Sequence, residues 1–142
     1  LNLFQVIYMA RDPRDVVVSY CHFARLVNIF DFVGSTSDFV EHFVNDTLVH
    51  GPFWTHLKEA WNKRSHPNIH FCFFEDMKAN PKEEILRIQR FLNVDLTESQ
   101  INGVRVTGDY KNKLSEEDIQ KINEWTKENT EDMEDEFKYK MK

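Results

Sequence analysis

Two side chains near the start of the sequence, Arg11 and Ser19, are well suited to binding an anion. Arg11 ends the apolar run Val6–Ala10, and Asp12 and Pro13 follow it. Arginine presents a planar fork of N–H donors that can bind two phosphate oxygens at once. The first backbone amides of a helix add further donors and the positive end of the helix dipole. The stretch therefore predicts a site for a phosphate or a similar anion.

A strand followed by a helix would position both side chains. Residues 3–10 are short, apolar and rich in β-forming types, which predicts a buried strand. Asp12 can cap the helix, and Pro13 can occupy its first position at no cost in hydrogen bonding. Ser19 comes seven residues after Asp12, about two helical turns, so the two share a helix face. Because open α/β sheets bind ligands at the carboxyl ends of their strands, Arg11 would lie at such an edge.

Interpretations without a ligand remain open for both residues. Arg11 can pair with Asp12 or Asp15, and the Ser19 hydroxyl can bond to the carbonyl four residues earlier. The sequence contains no glycine-rich Walker pattern, so spacing alone does not identify a nucleotide.

Apolar residues recur at helical spacing in four segments between the first strand and residue 92. The residues expected to face the core are Val16, Tyr20, Phe23 and Val27, then Phe39, Val40, Phe43 and Val44, then Phe53, Trp54, Leu57 and Trp61, then Ile85, Ile88, Phe91 and Leu92. Ser35 or Thr36 can cap the second of these helices. Ser115 and Asp118 have the spacing of a capping box before a last helix, whose thin apolar face predicts a surface position.

A second buried strand is predicted at residues 69–74, so strands and helices alternate as in an α/β fold with a parallel sheet. Parallel sheets are covered on both faces and usually contain several strands. A sheet of only two strands is too small to bury the apolar faces of all the predicted helices. Residues 1–142 are therefore predicted to be one incomplete domain, part of a larger fold.

Composition excludes several classes of function. The sequence is 41% hydrophobic, which suits a packed domain, and its net charge of −6 argues against a nucleic-acid partner. Residues 115–142 contain five lysines and ten acidic residues, and so hold most of this charge. Cys21 and Cys72 have no spacing typical of disulfide or zinc sites, and the histidines form no metal-ligand pattern, so no metal site is predicted. His22 is expected to pack within its helix, and no apolar run is long enough to span a membrane.

Several stretches resemble the cytosolic sulfotransferases. The opening stretch VIYMARDPRDVVVSYCHF, the segment GPFWTHLKEAWNKR, the stretch FCFFEDMKANPKEEILRIQRFL and the later GDYKN match motifs of that family in the same order. The resemblance implies a P-loop-like α/β fold, a three-layer arrangement with a parallel sheet flanked by helices. It also implies binding of 3′-phosphoadenosine 5′-phosphosulfate, with adenosine 3′,5′-bisphosphate as product.

The resemblance assigns roles to individual residues. Arg11 and Ser19 match the two positions that bind the 3′-phosphate of the cofactor. Phe74 stands where the family has a tyrosine, so the ring is retained and a hydroxyl is lost. Arg105 lies close to the family's basic pair and is expected to substitute for it from a shifted position.

The sequence also departs from the family pattern. The phosphosulfate-binding loop and the catalytic histidine of the family match nothing in it, so no residue here is predicted to be catalytic. The segment near 97–107 is shortened. The family's dimer motif aligns poorly with Lys111, Ser115, Glu116 and Gln120, so a homodimer is possible but weakly supported.

The resemblance predicts a cytoplasmic sulfotransferase that transfers a sulfonate group to a hydroxyl or amine of a small, hydrophobic acceptor. This chain would supply the 3′-phosphate anchor and part of the acceptor pocket, with Phe30, Phe32, Phe53 and Trp54 as candidate apolar walls. The chain alone is expected to be inactive. The alternatives are a nucleotide-binding remnant without catalysis and a helical interaction module.

Overall fold

The computed structural model describes residues 4–102 and 114–139. Along the chain the elements are β1 (Val6–Ala10), α1 (Pro13–Leu26), α2 (Thr36–Val44), α3 (Phe53–Asn62), β2 (Ile69–Phe73), α4 (Phe74–Ala79), α5 (Pro81–Leu92), α6 (Glu98–Asn102) and α7 (Glu116–Thr130). The chain divides into two compact units. The first unit comprises residues 1–11 and 56–108, and the second comprises residues 12–55 and 109–142.

The first unit is built on a parallel pair of strands. β1 pairs with β2 in a register that sets Val6 opposite Ile69 and Ala10 opposite Phe73. Because the strands are parallel, their carboxyl ends lie at the same edge of the sheet. The predicted α/β class with a parallel sheet is confirmed.

The helices after β2 follow directly from local sequence. α4 begins at Phe74, immediately after the strand, and Asn80 then caps α5, with its side chain accepting from the Glu83 amide at 3.4 Å. Pro81 occupies the first position of α5, where a missing N–H has no cost. The helix ends at Asn93, which has the left-handed conformation (φ 52°) that asparagine tolerates.

Aromatic side chains fill one side of the strand pair in the first unit. Trp61 of α3 packs edge-on against Phe71 at a centroid distance of 5.2 Å and against Phe73 at 6.0 Å. Tyr8 stacks on Phe71 across the two strands, with centroids 5.3 Å apart. These rings anchor α3 to β2 and confirm that Trp61 faces the core.

β1 is more exposed than the sequence suggests. Val6, Ile7 and Met9 are 47%, 40% and 44% exposed, and only Ala10 of this strand is buried. Within residues 4–102 and 114–139, β2 is the only strand paired with β1. The prediction of a buried first strand is therefore wrong for the described part of the chain.

The second unit packs α7 against α1 and α2. α1 begins at the predicted cap, where the Asp12 side chain accepts from the Arg14 amide at 2.9 Å. Its buried face is Pro13, Val17, Cys21 and Ala24, whereas the sequence analysis placed Val16, Tyr20, Phe23 and Val27 there. The valine run 16–18 is compatible with either face, and the small side chains of Cys21 and Ala24 allow neighbouring helices to approach closely.

Two helices of the second unit begin with a capping box: the sequence predicted the one at Ser115 and, for the other, only a cap at Ser35 or Thr36. Ser35 and Asp38 begin α2, and Ser115 and Asp118 begin α7. Asp118 also accepts from the Ser37 hydroxyl at 2.9 Å, which links the starts of the two helices. α7 buries Ile122, Thr126 and Thr130, so it is a core helix and not the surface helix that its thin apolar face predicts.

The described helices include none with both the length and the apolar character that a membrane crossing requires.

Candidate phosphate-binding site

Arg11 lies in the first unit at the carboxyl end of β1, as predicted. Its guanidinium is placed over the ring of Phe74, 4.2 Å from the centroid. The strand register brings these two residues together, because Ala10 pairs with Phe73 and each strand ends there. Stacking uses the flat face of the guanidinium, whereas its five N–H donors lie in the plane of the group. The ring at position 74 thus orients Arg11, a role that needs no hydroxyl.

Asp12 forms an ion pair with Arg14, a residue that the sequence analysis did not consider. Its carboxylate binds Arg14 in a bidentate pair, with Nε–Oδ1 at 2.9 Å and Nη2–Oδ2 at 2.5 Å. Arg14 also donates to Asn123 Oδ1 at 3.4 Å. The sequence analysis missed Arg14, although its position within the first turn after an aspartate cap could have indicated the pair.

Ser19 lies on α1, in the second unit, with its side chain exposed. In the part of the chain that the structure describes, its hydroxyl forms no hydrogen bond to the carbonyl four residues earlier. The buried positions Val17 and Cys21 flank it, so Ser19 is on a different face of the helix from the core. The geometry leaves the hydroxyl in contact with solvent, where a ligand can reach it. Its joint action with Arg11 stays a prediction.

Arg105 lies outside the described residues, as do Lys111 and the GDYKN stretch. The predicted role of Arg105 therefore stays a prediction.

The four candidate walls of an acceptor pocket fall into two groups. Phe53 and Trp54 are 7% and 3% exposed and pack with Trp125 at centroid distances of 5.9 and 5.6 Å, so they belong to the core of the second unit. Phe30 and Phe32 are only half-buried. These two remain candidate walls.

Phe30 belongs to an aromatic cluster in the second unit. Its ring lies 5.5 Å from Phe23, 6.4 Å from Tyr20 and 5.7 Å from His50. The Tyr20 oxygen accepts from the His50 backbone amide at 3.3 Å, which fixes the ring. The exposed Phe23 makes this cluster an apolar surface within reach of a small ligand.

Two histidines have defined surroundings that the sequence did not indicate. His22, expected to be packed, is exposed. His56 lies in the first unit with its Nδ1 2.6 Å from the Tyr8 hydroxyl. Burial lowers the pKa of His56 and raises the pKa of Tyr8 to about 12. Both pKa shifts favour the neutral side chains, in which the Tyr8 hydroxyl donates a hydrogen bond to the imidazole of His56.

A pocket of about 310 Å³ opens in the first unit beside β2. Its walls are Trp61, Arg64, Phe71, Cys72, Phe73, Asp76 and Arg87. Arg64 covers the Trp61 ring at 4.1 Å, so one side of the pocket is aromatic and cationic together.

A second group of side chains in the first unit was missed by the sequence analysis. His70 and Cys72 of β2 and Glu84 of α5 each offer one ligand atom, and these atoms lie within 4.8 Å of one another. Burial is the main cause that raises the pKa of the Cys72 thiol to about 11, and the nearby Glu84 carboxylate contributes to the same shift. His70 and Cys72 are two residues apart on a strand, and that spacing was the available signal because it places both on one face.

Comparison with known proteins identifies a common domain. A family model described as the sulfotransferase domain matches residues 2–106. Mouse sulfotransferase 1 family member D1 is 40% identical over 103 residues, which are 72% of this chain and 35% of that protein. Mouse sulfotransferase 1A1 is 39% identical over 99 residues, which are 69% of this chain and 34% of that protein. The chain spans about a third of the length of these curated relatives.

Two solved structures resemble the structure of this chain. Retinol dehydratase, crystallised with androsterone and the inactive cofactor PAP, is 30% identical with a TM-score of 0.78, over 90% of this chain and 48% of that chain. Mouse sulfotransferase SULT7A1 complexed with PAP has a TM-score of 0.80 at 20% identity, over 92% of this chain and 59% of that chain. The latter likeness concerns the fold alone.

Proposed function

Because the chain belongs to the sulfotransferase family, we propose that it is part of an enzyme that uses 3′-phosphoadenosine 5′-phosphosulfate. The sulfonate group is transferred to a hydroxyl or amine of a small, hydrophobic acceptor. Retinol dehydratase, the solved relative at 30% identity, is crystallised with PAP and with androsterone, an apolar small molecule, which supports both parts of the proposal.

The observation that carries the proposal is the position of Arg11. It follows β1 at the edge where parallel sheets bind ligands, and the Phe74 ring orients its guanidinium. A guanidinium held in this way can donate two parallel hydrogen bonds to a phosphate. Arg11 is thus proposed to bind the 3′-phosphate of the cofactor, with the exposed hydroxyl of Ser19 as a second donor.

Binding of adenosine 3′,5′-bisphosphate by the full-length protein tests this role in a calorimeter. Arg11→Ala is expected to weaken binding by about 1.5–3 kcal/mol, the range for a hydrogen bond to a charged group. Adenosine 5′-phosphate lacks the 3′-phosphate, so its affinity should be insensitive to the same substitution. Arg90→Ala removes an exposed arginine of α5 and serves as the matched control. Equal affinities of the wild-type protein and Arg11→Ala for the bisphosphate would remove Arg11 from the site.

The proposed role of this chain is binding, and the proposed catalytic base and phosphosulfate loop lie outside its 142 residues. Displacement at sulfur needs a base for the acceptor and groups that stabilise charge on the leaving phosphate. The three histidines of the first unit are all hydrogen-bonded: His56 to Tyr8, His66 to the Asn68 amide and His70 to Glu84. We therefore expect residues 1–142 alone to show no transfer to a phenol or alcohol. Turnover by this chain, followed with radiolabelled donor, would contradict that assignment.

Phe30 and the rings around it are the proposed apolar wall for the acceptor. Their partial exposure supports a ligand-facing role, in contrast to the buried Phe53 and Trp54. The two cysteines are free and buried, which is consistent with the cytoplasmic location that we propose for the enzyme.

A further inference from the structure

The group of His70, Cys72 and Glu84, here called the His–Cys–Glu cluster, has a composition unusual for a packed interior. His70 and Cys72 project from one face of β2, because side chains two apart on a strand share a face. Glu84 of α5 meets them there and is only 3% exposed. A buried carboxylate needs a compensating partner, and imidazole, thiolate and carboxylate together are ligands that zinc prefers.

The distances within the cluster suit a metal ion. His70 Nε2 and Glu84 Oε1 are 2.8 Å apart, and the Cys72 sulfur lies within 4.8 Å of both ligand atoms. With zinc bonds of about 2.0–2.3 Å, the ligand atoms of a tetrahedral site are roughly 3.3–3.8 Å apart. The separation of 2.8 Å is below that range and the limit of 4.8 Å is above it. Rotamer adjustments of about 1 Å would therefore bring the three ligand atoms around one ion.

The neighbours of the cluster complete the features of a three-ligand site. Arg87 donates to the second oxygen of Glu84 at 3.1 Å, which orients the carboxylate with its first oxygen toward His70. The ring of Phe91 lies against the His70 ring, 5.5 Å between centroids. Cys72 and Arg87 also line the pocket of about 310 Å³, so the cluster adjoins this cavity at its cysteine.

We propose that His70, Cys72 and Glu84 bind a zinc ion through one atom each, with water from the adjoining pocket as the fourth ligand. On binding, the Cys72 thiol releases its proton to solvent and the sulfur bonds to the metal as thiolate. The ion ties β2 to α5 within the first unit and takes no part in sulfonate transfer. The proposal does not depend on the role of Arg11.

Cobalt(II) provides a direct probe, because a cysteine thiolate bound to it produces a charge-transfer absorption that histidine and carboxylate ligands do not. We expect titration of the 142-residue chain with Co²⁺ to give this band at one equivalent, and addition of Zn²⁺ to abolish it. Cys72→Ser should eliminate the band. Cys21→Ser changes the other buried free cysteine of the sequence and should leave the band intact.

The remaining ligands are tested by affinity. His70→Gln and Glu84→Gln should each weaken Co²⁺ binding at least tenfold. Arg87→Gln acts only through Glu84 and should weaken Co²⁺ binding by about 10–100-fold. Zn²⁺ should raise the unfolding temperature of the wild-type chain and of Cys21→Ser but not of Cys72→Ser. Failure of the wild-type chain to give the band, its persistence in Cys72→Ser or its loss in Cys21→Ser would each overturn the proposal, and circular dichroism verifies that every variant is folded.

Discussion

At the scale of single residues, the phenylalanine at position 74 places its ring against Arg11, the residue proposed to bind the phosphate. The stacking distance of 4.2 Å shows that the aromatic face orients Arg11, and this needs only the ring. In a comparison of sequences alone, phenylalanine in place of the family's tyrosine is seen only as the loss of a hydroxyl group. The structure shows that the phenylalanine ring still stacks against the guanidinium of Arg11.

Burial of the Tyr8 phenol makes the free energy of unfolding depend on pH in the alkaline range. The pKa of Tyr8 is raised from 10.0 to about 12 by burial, so the folded state disfavours tyrosinate. The unfolded chain loses this proton first, and therefore the contribution of Tyr8 to stability is complete below pH 10 and is lost as the pH rises toward 12.

We expect urea unfolding to show this loss by comparison with a variant. The free energy of unfolding should fall more steeply between pH 10 and 11 in the wild-type chain than in Tyr8→Phe, because the variant has no phenol to ionise. Cys72 also has a raised pKa and titrates in this range, but it is present in both proteins and cancels in the difference. Parallel pH profiles for the two proteins would show that Tyr8 is not held in its neutral form.

At the scale of elements, helix starts were predictable and helix faces were less so. Asp12, Ser35 and Ser115 each cap the helix that follows, since a cap depends on residues two or three positions apart in sequence. The buried face of α1 depends on which neighbours approach it. Local spacing could not decide between faces when valines occupy three consecutive positions.

The same reasoning explains why α7 and α5 differed from expectation. α7 buries Thr126 and Thr130, whose small side chains suit close packing although their polarity predicts exposure. The Thr130 hydroxyl donates to the Thr126 carbonyl at 2.9 Å, which satisfies it inside the core. In α5 the fully buried side chain is Glu84, stabilised by His70 and Arg87. Arg87 is a neighbour on the same helix, but His70 lies on β2, fourteen residues earlier, and the spacing within α5 gives no sign of it.

At the scale of the whole molecule, the parallel sheet presents apolar side chains that parallel sheets normally cover. Val6 projects to one face of β1 and Ile7 and Met9 to the other, and all three are at least 40% exposed. This agrees with a chain that spans about a third of its curated relatives. We propose that further strands and helices of the full-length enzyme cover these side chains.

The exposed strand predicts that the 142-residue chain associates with itself in solution. An apolar strand with an unpaired edge is a template for pairing with another copy, and a lysine on such a strand opposes that pairing. Sedimentation velocity should therefore show association that increases with concentration in the wild-type chain and is reduced by Ile7→Lys. Val33→Lys, at a loop position of the second unit that is 89% exposed, adds the same charge outside β1 and should leave association unchanged. A wild-type chain that stays monomeric as its concentration is raised, or equal effects of the two lysines, would show that β1 is not the associating surface.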